Sequence, residues 1–110
     1  AIQKFEKAIQ LKPDYTDAMI NKGAALISVK RYEEAVEILT SFLKYNDTNP
    51  NVYSYRAIAY ERSQEYNKAL EDYTQAIRID PNNKSYYAGR AQVHKALGNM
   101  EAMNLDLKRG

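Results

Sequence analysis

The chain has 110 residues, of which 45% are hydrophobic and 27% are charged, and its formal net charge is +2. This size and composition suit one small globular domain. The weak net charge, without clusters of Lys and Arg, predicts no nucleic-acid partner.

Apolar stretches and cysteine usage limit the class of protein further. No apolar run reaches the length of a membrane-spanning helix, so we expect no membrane insertion. The absence of cysteine excludes disulfides and thiolate metal sites, and it fits a reducing compartment such as the cytoplasm. No signal peptide is visible, and because the chain begins at Ala1 rather than Met we expect it to be a segment of a longer protein.

The same residue types recur in the same order at an interval of 34 residues. Residues 31–49 and 65–83 show this directly, since Tyr32 aligns with Tyr66. A recurrence of this length indicates a repeat architecture, in which each unit packs against an equivalent neighbour. The aligned positions alternate small and large residues, among them Gly23, Ala57 and Ala91; Ala35 and Ala69; Met19, Tyr53 and Tyr87; and Leu39 and Tyr73.

Within each unit the apolar residues are spaced by three and four positions, which predicts two helices per unit. In chain order, we predict one helix over residues 1–15 and helix pairs over residues 16–49, 50–83 and 84–110. Because two short helices cannot bury their apolar stripes alone, we expect the units to stack on one another.

Residues that start and stop helices lie between the predicted elements. Asn49 followed by Pro50 is typical of an N-cap and the first helical residue, where the missing N–H of proline costs nothing. Pro13 and Pro81 follow helical runs and are expected to end them. Gly98 lies between the last two helices, where a left-handed residue is easily accommodated.

The recurring residues define a known repeat. Residues 50–83 carry its large, small and closing proline residues at Tyr53, Ala57, Tyr60, Tyr66, Ala69, Tyr73, Ala76 and Pro81. This pattern resembles the tetratricopeptide repeat (TPR) family. The resemblance implies an all-α fold, a right-handed superhelix (α-solenoid) of antiparallel helix pairs with seven helices. Residues 1–15 would be the second helix of a truncated unit, residues 16–49 and 50–83 whole units, and residues 84–110 a C-terminally truncated unit.

The resemblance also implies a binding surface, because the first helices of TPR units line the concave face of the superhelix. Carried onto this chain, that groove comprises Asp17, Ile20, Asn21, Ala24, Asn51, Tyr55, Ile58, Arg62, Gln92 and Lys95. We therefore predict a scaffold that binds a protein or peptide partner, either an extended peptide or a helix, in the groove. The alternative is a structural spacer within a longer TPR array, with no ligand of its own.

The residues that define one functional subtype of the family can be looked for in this sequence. TPR co-chaperones that grip the C-terminal carboxylate of Hsp70 or Hsp90 use Lys and Asn in one repeat, Asn in the next, and Lys and Arg in the third. Asn21 matches the middle Asn, but the third-repeat positions hold Asn51 and Tyr55. A frame shifted by one repeat places Tyr55 in the middle and Ser85 and Gly89 last. Neither frame gives the carboxylate a cationic partner, so an Hsp70/Hsp90 carboxylate clamp is not supported.

Residues capable of catalysis are few. His94 occupies a position that Leu26 and Tyr60 hold in the other units, which favours a packing role. Neighbouring carboxylates such as Glu71 and Asp72 are predicted on a solvated helix face. We therefore predict no enzyme activity, no cofactor and no metal site.

The two ends of the repeat array carry apolar stripes. The first predicted helix presents Ile2 and Phe5, and the last presents Met100, Met103 and Leu107. Stacked repeats need polar caps for solubility, and exposed apolar patches favour association. We therefore expect self-association of the chain through these uncapped ends.

Overall fold

The structure is a computed structural model that describes residues 15–109, with side chains described from residue 18 onward. Within this range the chain forms helices and no strand, in the order α1 (Tyr15–Ser28), α2 (Tyr32–Tyr45), α3 (Pro50–Arg62), α4 (Tyr66–Ile79), α5 (Lys84–Leu97) and α6 (Met100–Arg109). These six helices confirm the predicted all-α repeat. The helix predicted over residues 1–15, the first of the seven, lies outside the described residues.

Asparagine side chains start the first helices of two units. The side chain of Asn49 accepts a hydrogen bond from the backbone N–H of Asn51 at 3.0 Å, and Pro50 is the first residue of α3. Asn83 accepts in the same way from Ser85 at 2.9 Å at the start of α5. Each bond satisfies a backbone donor that the helix itself leaves unpaired, which confirms the N-cap that Asn49 and Pro50 predict.

Left-handed residues join the two helices of each unit. Gly98 has φ +81° between α5 and α6, as predicted. Lys30 and Gln64 hold the equivalent positions in the other units, and both have φ 66°. The chain reverses within a few residues at each of these turns, so consecutive helices are antiparallel and pack directly against each other.

The predicted packing positions form the core. Ala35, Leu39, Ala57, Ala69 and Ala76 are fully buried. The alanines among them let the helix backbones approach closely, and larger neighbours fill the space beside them. The larger cluster contains Met19, Leu26, Ile27, Ala35, Ile38, Leu39, Phe42, Val52 and Ala59, and the smaller one contains Ala57, Ala69, Tyr73 and Val93.

A second apolar stripe on the first helices was not predicted. Val52 and Ala59 of α3 are buried in the cluster formed by α1 and α2, and Val93 of α5 is buried against α3 and α4. Each first helix therefore has one stripe for its own second helix and another for the preceding unit. Tyr86 occupies the position equivalent to Val52 and is also buried.

Buried ion pairs recur with the repeat. Arg56 of α3 donates through Nε and Nη2 to the two carboxylate oxygens of Asp72 of α4, both at 2.8 Å, and through Nη1 to the Oγ1 atom of Thr40 of α2 at 3.1 Å. Burial raises the pKa of Asp72, and the hydrogen bonds from Arg56 oppose that rise. The same bonds raise the pKa of Arg56.

The prediction that Asp72 lies on a solvated face was wrong, because its carboxylate is 3% exposed. The following unit repeats the arrangement. Arg90 donates to both oxygens of Asp106 at 2.8 Å and to Thr74 at 3.3 Å. Each arginine thus joins the second helix of its own unit to the second helix of the preceding unit.

The stack curves with its first helices on the inner side. α1 contacts α3 and α3 contacts α5, whereas successive second helices make at most marginal contact. The first helices therefore lie closer together than the second helices, and the surface of α1, α3 and α5 is concave. None of the described helices combines the length and the apolar character needed to cross a bilayer.

Candidate peptide-binding groove

Five of the predicted groove side chains are exposed on the first helices. They are Asn21, Asn51, Arg62, Gln92 and Lys95. Amide and cationic groups of this kind can donate hydrogen bonds to backbone carbonyls or carboxylates of a partner. The surface is therefore polar with a positive bias.

Three predicted groove residues have a second role. Ile20, Tyr55 and Ile58 are half-buried and pack against the larger core cluster, so they are part of the fold as well as of the inner surface. Ala24 is also half-buried, and the side chain of Asp17 lies outside the described residues. The apolar floor of the groove is thus continuous with the core, and only its polar residues are fully available to a partner.

A hydrogen bond connects two units across the groove. The hydroxyl of Tyr86 on α5 donates to Oδ1 of Asn51 on α3, at 2.6 Å. Burial raises the pKa of Tyr86, with smaller contributions from Asp80 and Tyr55. Tyr86 was not among the predicted groove residues. The sequence does carry a signal for it, because the equivalent residue of the preceding unit is Val52. A tyrosine at such a position has a polar hydroxyl that needs a hydrogen-bond partner.

Two exposed cations lie on the inner helices. Within the described part of the chain, Arg62 and Lys95 form no ion pair. Glu61, beside Arg62, is half-buried, accepts from the hydroxyl of Tyr73 at 3.5 Å, and has a pKa raised by burial. The charge of Arg62 opposes that rise, and the exposed guanidinium can still donate to an acidic or carbonyl-rich partner.

The structure divides the predicted groove residues into two groups. Gln92 and Lys95 border an apolar pocket between α5 and α6, with Met100, Met103 and Leu107 on its other side. Asn21, Asn51 and Arg62 do not line that pocket. The C-terminal part of the predicted groove is therefore continuous with the apolar pocket between α5 and α6.

Predictions about potential metal ligands and about the single histidine were made from the sequence and can be compared with the structure. No three His, Cys, Asp or Glu side chains in that range are grouped to hold a metal ion. His94 is mostly buried beside α6, with Nε2 3.6 Å from Asp106. Its position within the packed helices agrees with the packing role predicted from Leu26 and Tyr60.

Comparison with known proteins identifies the family. Two family models, both described as tetratricopeptide repeat, match the chain, one over residues 1–58 and the other over residues 50–83. The chain therefore belongs to the tetratricopeptide repeat family, as its 34-residue pattern indicated.

Individual relatives have low sequence identity to this chain. A DnaJ homolog subfamily C member 3 homolog from Dictyostelium discoideum is 29% identical over 100 residues, covering 87% of this chain and 20% of that protein. The human mitochondrial import receptor subunit TOM70 is 30% identical over 91 residues, covering 78% of this chain and 15% of that protein. The chain thus spans about a fifth or less of the length of these relatives.

A solved structure matches over most of both chains. The second TPR of Spaghetti (RPAP3), bound to the HSP90 peptide SRMEEVD, superposes with a TM-score of 0.81 and is 26% identical. The match covers 86% of this chain and 87% of that chain. This chain therefore shares its α-solenoid fold with a domain that holds a peptide.

Proposed function

We propose that the chain is a non-catalytic protein-interaction scaffold that binds a peptide or partner helix on the concave surface of α1, α3 and α5. The observation that carries the proposal is the row of exposed amide and cationic side chains beside a half-buried apolar floor on the inner helices. Polar groups would fix the orientation of a ligand, and the apolar floor would supply contact area.

The hydrogen bond between Tyr86 and Asn51 supports this proposal. It links α3 to α5 on the inner side, so the spacing of these two helices is set before a ligand binds. A groove that is already formed loses less conformational entropy on binding. The bond uses the side-chain oxygen of Asn51, so the side-chain NH₂ group of Asn51 can donate to a ligand.

The charges of the groove indicate the kind of ligand. Arg62 and Lys95 are exposed and make no ion pair with any described residue. A partner with acidic side chains among apolar ones would match both these cations and the floor formed by Tyr55 and Ile58. We therefore propose an acidic, partly apolar segment as the ligand.

Peptide selection would test the groove. We expect phage-displayed random peptides selected on the wild-type chain to bind the double variant Asn21→Ala/Arg62→Glu at least about tenfold more weakly, because the variant removes a hydrogen-bonding amide and reverses a charge. The matched control is Asn67→Ala/Arg78→Glu, which makes the same chemical changes at exposed positions of α4.

The control should bind the selected peptides as the wild type does. Equal binding by all three proteins would contradict the groove proposal. Failure to select any peptide would favour the spacer alternative. Circular dichroism would confirm that each variant remains helical.

The relative bound to SRMEEVD allows a sharper expectation about specificity. We propose that this chain does not form the carboxylate clamp, because the third-repeat positions hold Asn51 and Tyr55, and Tyr55 is half-buried against the core. A carboxylate without a cationic partner loses a charge-assisted hydrogen bond, worth about 1.5–3 kcal/mol. We expect SRMEEVD to bind at least about tenfold more weakly than the peptides selected on this chain, measured by fluorescence anisotropy. Binding of SRMEEVD as tight as that of the selected peptides would contradict this expectation.

A further inference from the structure

A groove with an aromatic floor lies between the second helices α2 and α4, beside the first turns of both. It has a volume of about 570 Å³, and its lining includes Glu33, Val36, Glu37, Tyr60, Glu65 and Lys68. The half-buried Val36 and Tyr60 form the floor, and the four charged side chains are exposed on the rim. None of the predicted peptide-binding residues lines this surface, which we call the α2/α4 groove.

Contacts within the stack hold the two sides of the groove in place. Glu33, Glu37 and Thr40 lie on one face of α2, because they are spaced by four and three residues. Thr40 accepts a hydrogen bond from Arg56, which also binds Asp72 of α4. The face that carries Glu33 and Glu37 is therefore turned toward the following unit, and the groove is formed before any partner binds.

The rim of the groove is negatively charged. It carries three carboxylates and one ammonium group, so its formal charge is −2. Glu33 and Glu37 form no ion pair with any described residue, and the nearby Arg31 pairs with Glu34 instead. A positively charged partner would therefore complement the rim.

A lysine of the chain itself shows how a cation is held here. The Nζ atom of Lys68 lies 5.6 Å from the centroid of the Tyr60 ring and 3.1 Å from Oε1 of Glu65. The ring and the carboxylate thus bind one ammonium group together. Glu33 and Glu37 carry the same type of charge beside Val36, along which the methylenes of a further Lys or Arg side chain could lie.

The acidic rim is not a requirement of the repeat. One unit later, Asn67, Glu71 and His94 lie at the positions equivalent to Glu33, Glu37 and Tyr60. The packing position of Val36 is by contrast kept as Leu70. Stacking of the units therefore needs the apolar residue but not the additional carboxylates or the aromatic ring.

The spacing of the carboxylates indicates the shape of the cationic partner. No three His, Cys, Asp or Glu side chains of the described residues are grouped to hold a metal ion, so the rim suits a larger cation. Glu33 and Glu37 are one helical turn apart, about 5.4 Å along the axis. Alternate side chains of an extended peptide are about 6.7 Å apart on one face. Cationic residues at alternate positions therefore match the two carboxylates.

From these observations we propose that the α2/α4 groove binds an extended basic segment of a partner protein, with Lys or Arg at alternate positions. Two cationic side chains would pair with Glu33 and Glu37, while their methylenes contact Val36 and Tyr60. This site differs in place and in charge preference from the surface proposed for acidic ligands on α1, α3 and α5. The proposal therefore does not depend on that function.

Fluorescence anisotropy with the labelled peptide GSRSRSRSG would test the α2/α4 groove. The double variant Glu33→Gln/Glu37→Gln should bind this peptide at least about fivefold more weakly than the wild type, because it removes two charge-assisted contacts. The matched control is Glu71→Gln/Glu101→Gln, which removes the same charge at exposed positions outside the groove. This control should bind as the wild type does.

A second peptide would test the alternate spacing. GSSRRRSSG has the same composition with adjacent arginines, and the wild type should bind it at least about fivefold more weakly than GSRSRSRSG. No binding of GSRSRSRSG by the wild type, equal losses in the two double variants, or equal binding of the two peptides would each overturn the proposal. Circular dichroism would confirm that both variants keep their helices.

Discussion

Asp72→Ala is expected to lower the free energy of unfolding by about 3 kcal/mol, because it leaves the Arg56 guanidinium buried with only Thr40 as a hydrogen-bond partner. The loss should fall at the lower end of the range for broken buried pairs, since the Arg56 side chain is 18% exposed and keeps some contact with water. Urea unfolding followed by circular dichroism measures the change.

The neighbouring carboxylate provides the matched control. Glu71 is exposed, so Glu71→Ala should change stability by less than about 0.5 kcal/mol. The preceding unit shows residues that can replace the ion pair, because Lys22 and Ile38 lie at the positions equivalent to Arg56 and Asp72. The double variant Arg56→Lys/Asp72→Ile should therefore be more stable than Asp72→Ala. Equal stability of Asp72→Ala and Glu71→Ala would contradict a structural role for the ion pair.

Gly89→Ala is expected to destabilise the protein by about 1–3 kcal/mol, although alanine is ordinarily the better helix former. A Cβ atom at residue 89 would lie 2.5 Å from two ring atoms of Tyr73. That ring is buried, so either the ring or α5 must shift. Thermal unfolding would detect the loss as a decrease in Tm.

A second substitution would separate this steric clash from other effects. In the preceding unit the equivalent pair is Leu39 and Tyr55, so a smaller residue on the second helix accompanies a larger one on the next first helix. Tyr73→Leu should therefore recover part of the stability that Gly89→Ala loses. If the double variant lost the sum of the two single losses, the contact between residues 73 and 89 would not be the cause.

The repeat pattern predicted much of the fold because each unit meets the same packing requirement. The positions of Gly23, Ala57 and Ala91, spaced by one repeat, indicated where backbones approach, and all three are buried. Asn49 and Gly98 marked helix ends because capping and left-handed turns depend on local chemistry alone. Helix ends and the positions where backbones approach could thus be predicted from the sequence, because local chemistry sets the first and the repeat spacing marks the second.

Features set by contacts between units were harder to predict. Asp72 follows Glu71 and was assigned to the solvated face, yet it pairs with Arg56, 16 residues earlier in the chain. The recurrence of the pair as Arg90 and Asp106 was the available signal. Tyr55 and Ile58 were assigned to the groove alone, because their spacing could not show that both also pack against the core.

The arginine that joins three helices has a mechanical consequence for the concave surface. Arg56 occupies the gap between α2 and α4, where the outer helices otherwise have little contact, and its hydrogen bonds to Thr40 and Asp72 limit how far that gap can open. Arg90 does the same one unit later. These two arginines therefore connect successive units on the side of the second helices. We expect Arg56 and Arg90, together with the inner bond between Tyr86 and Asn51, to limit changes in the width of the proposed peptide-binding surface.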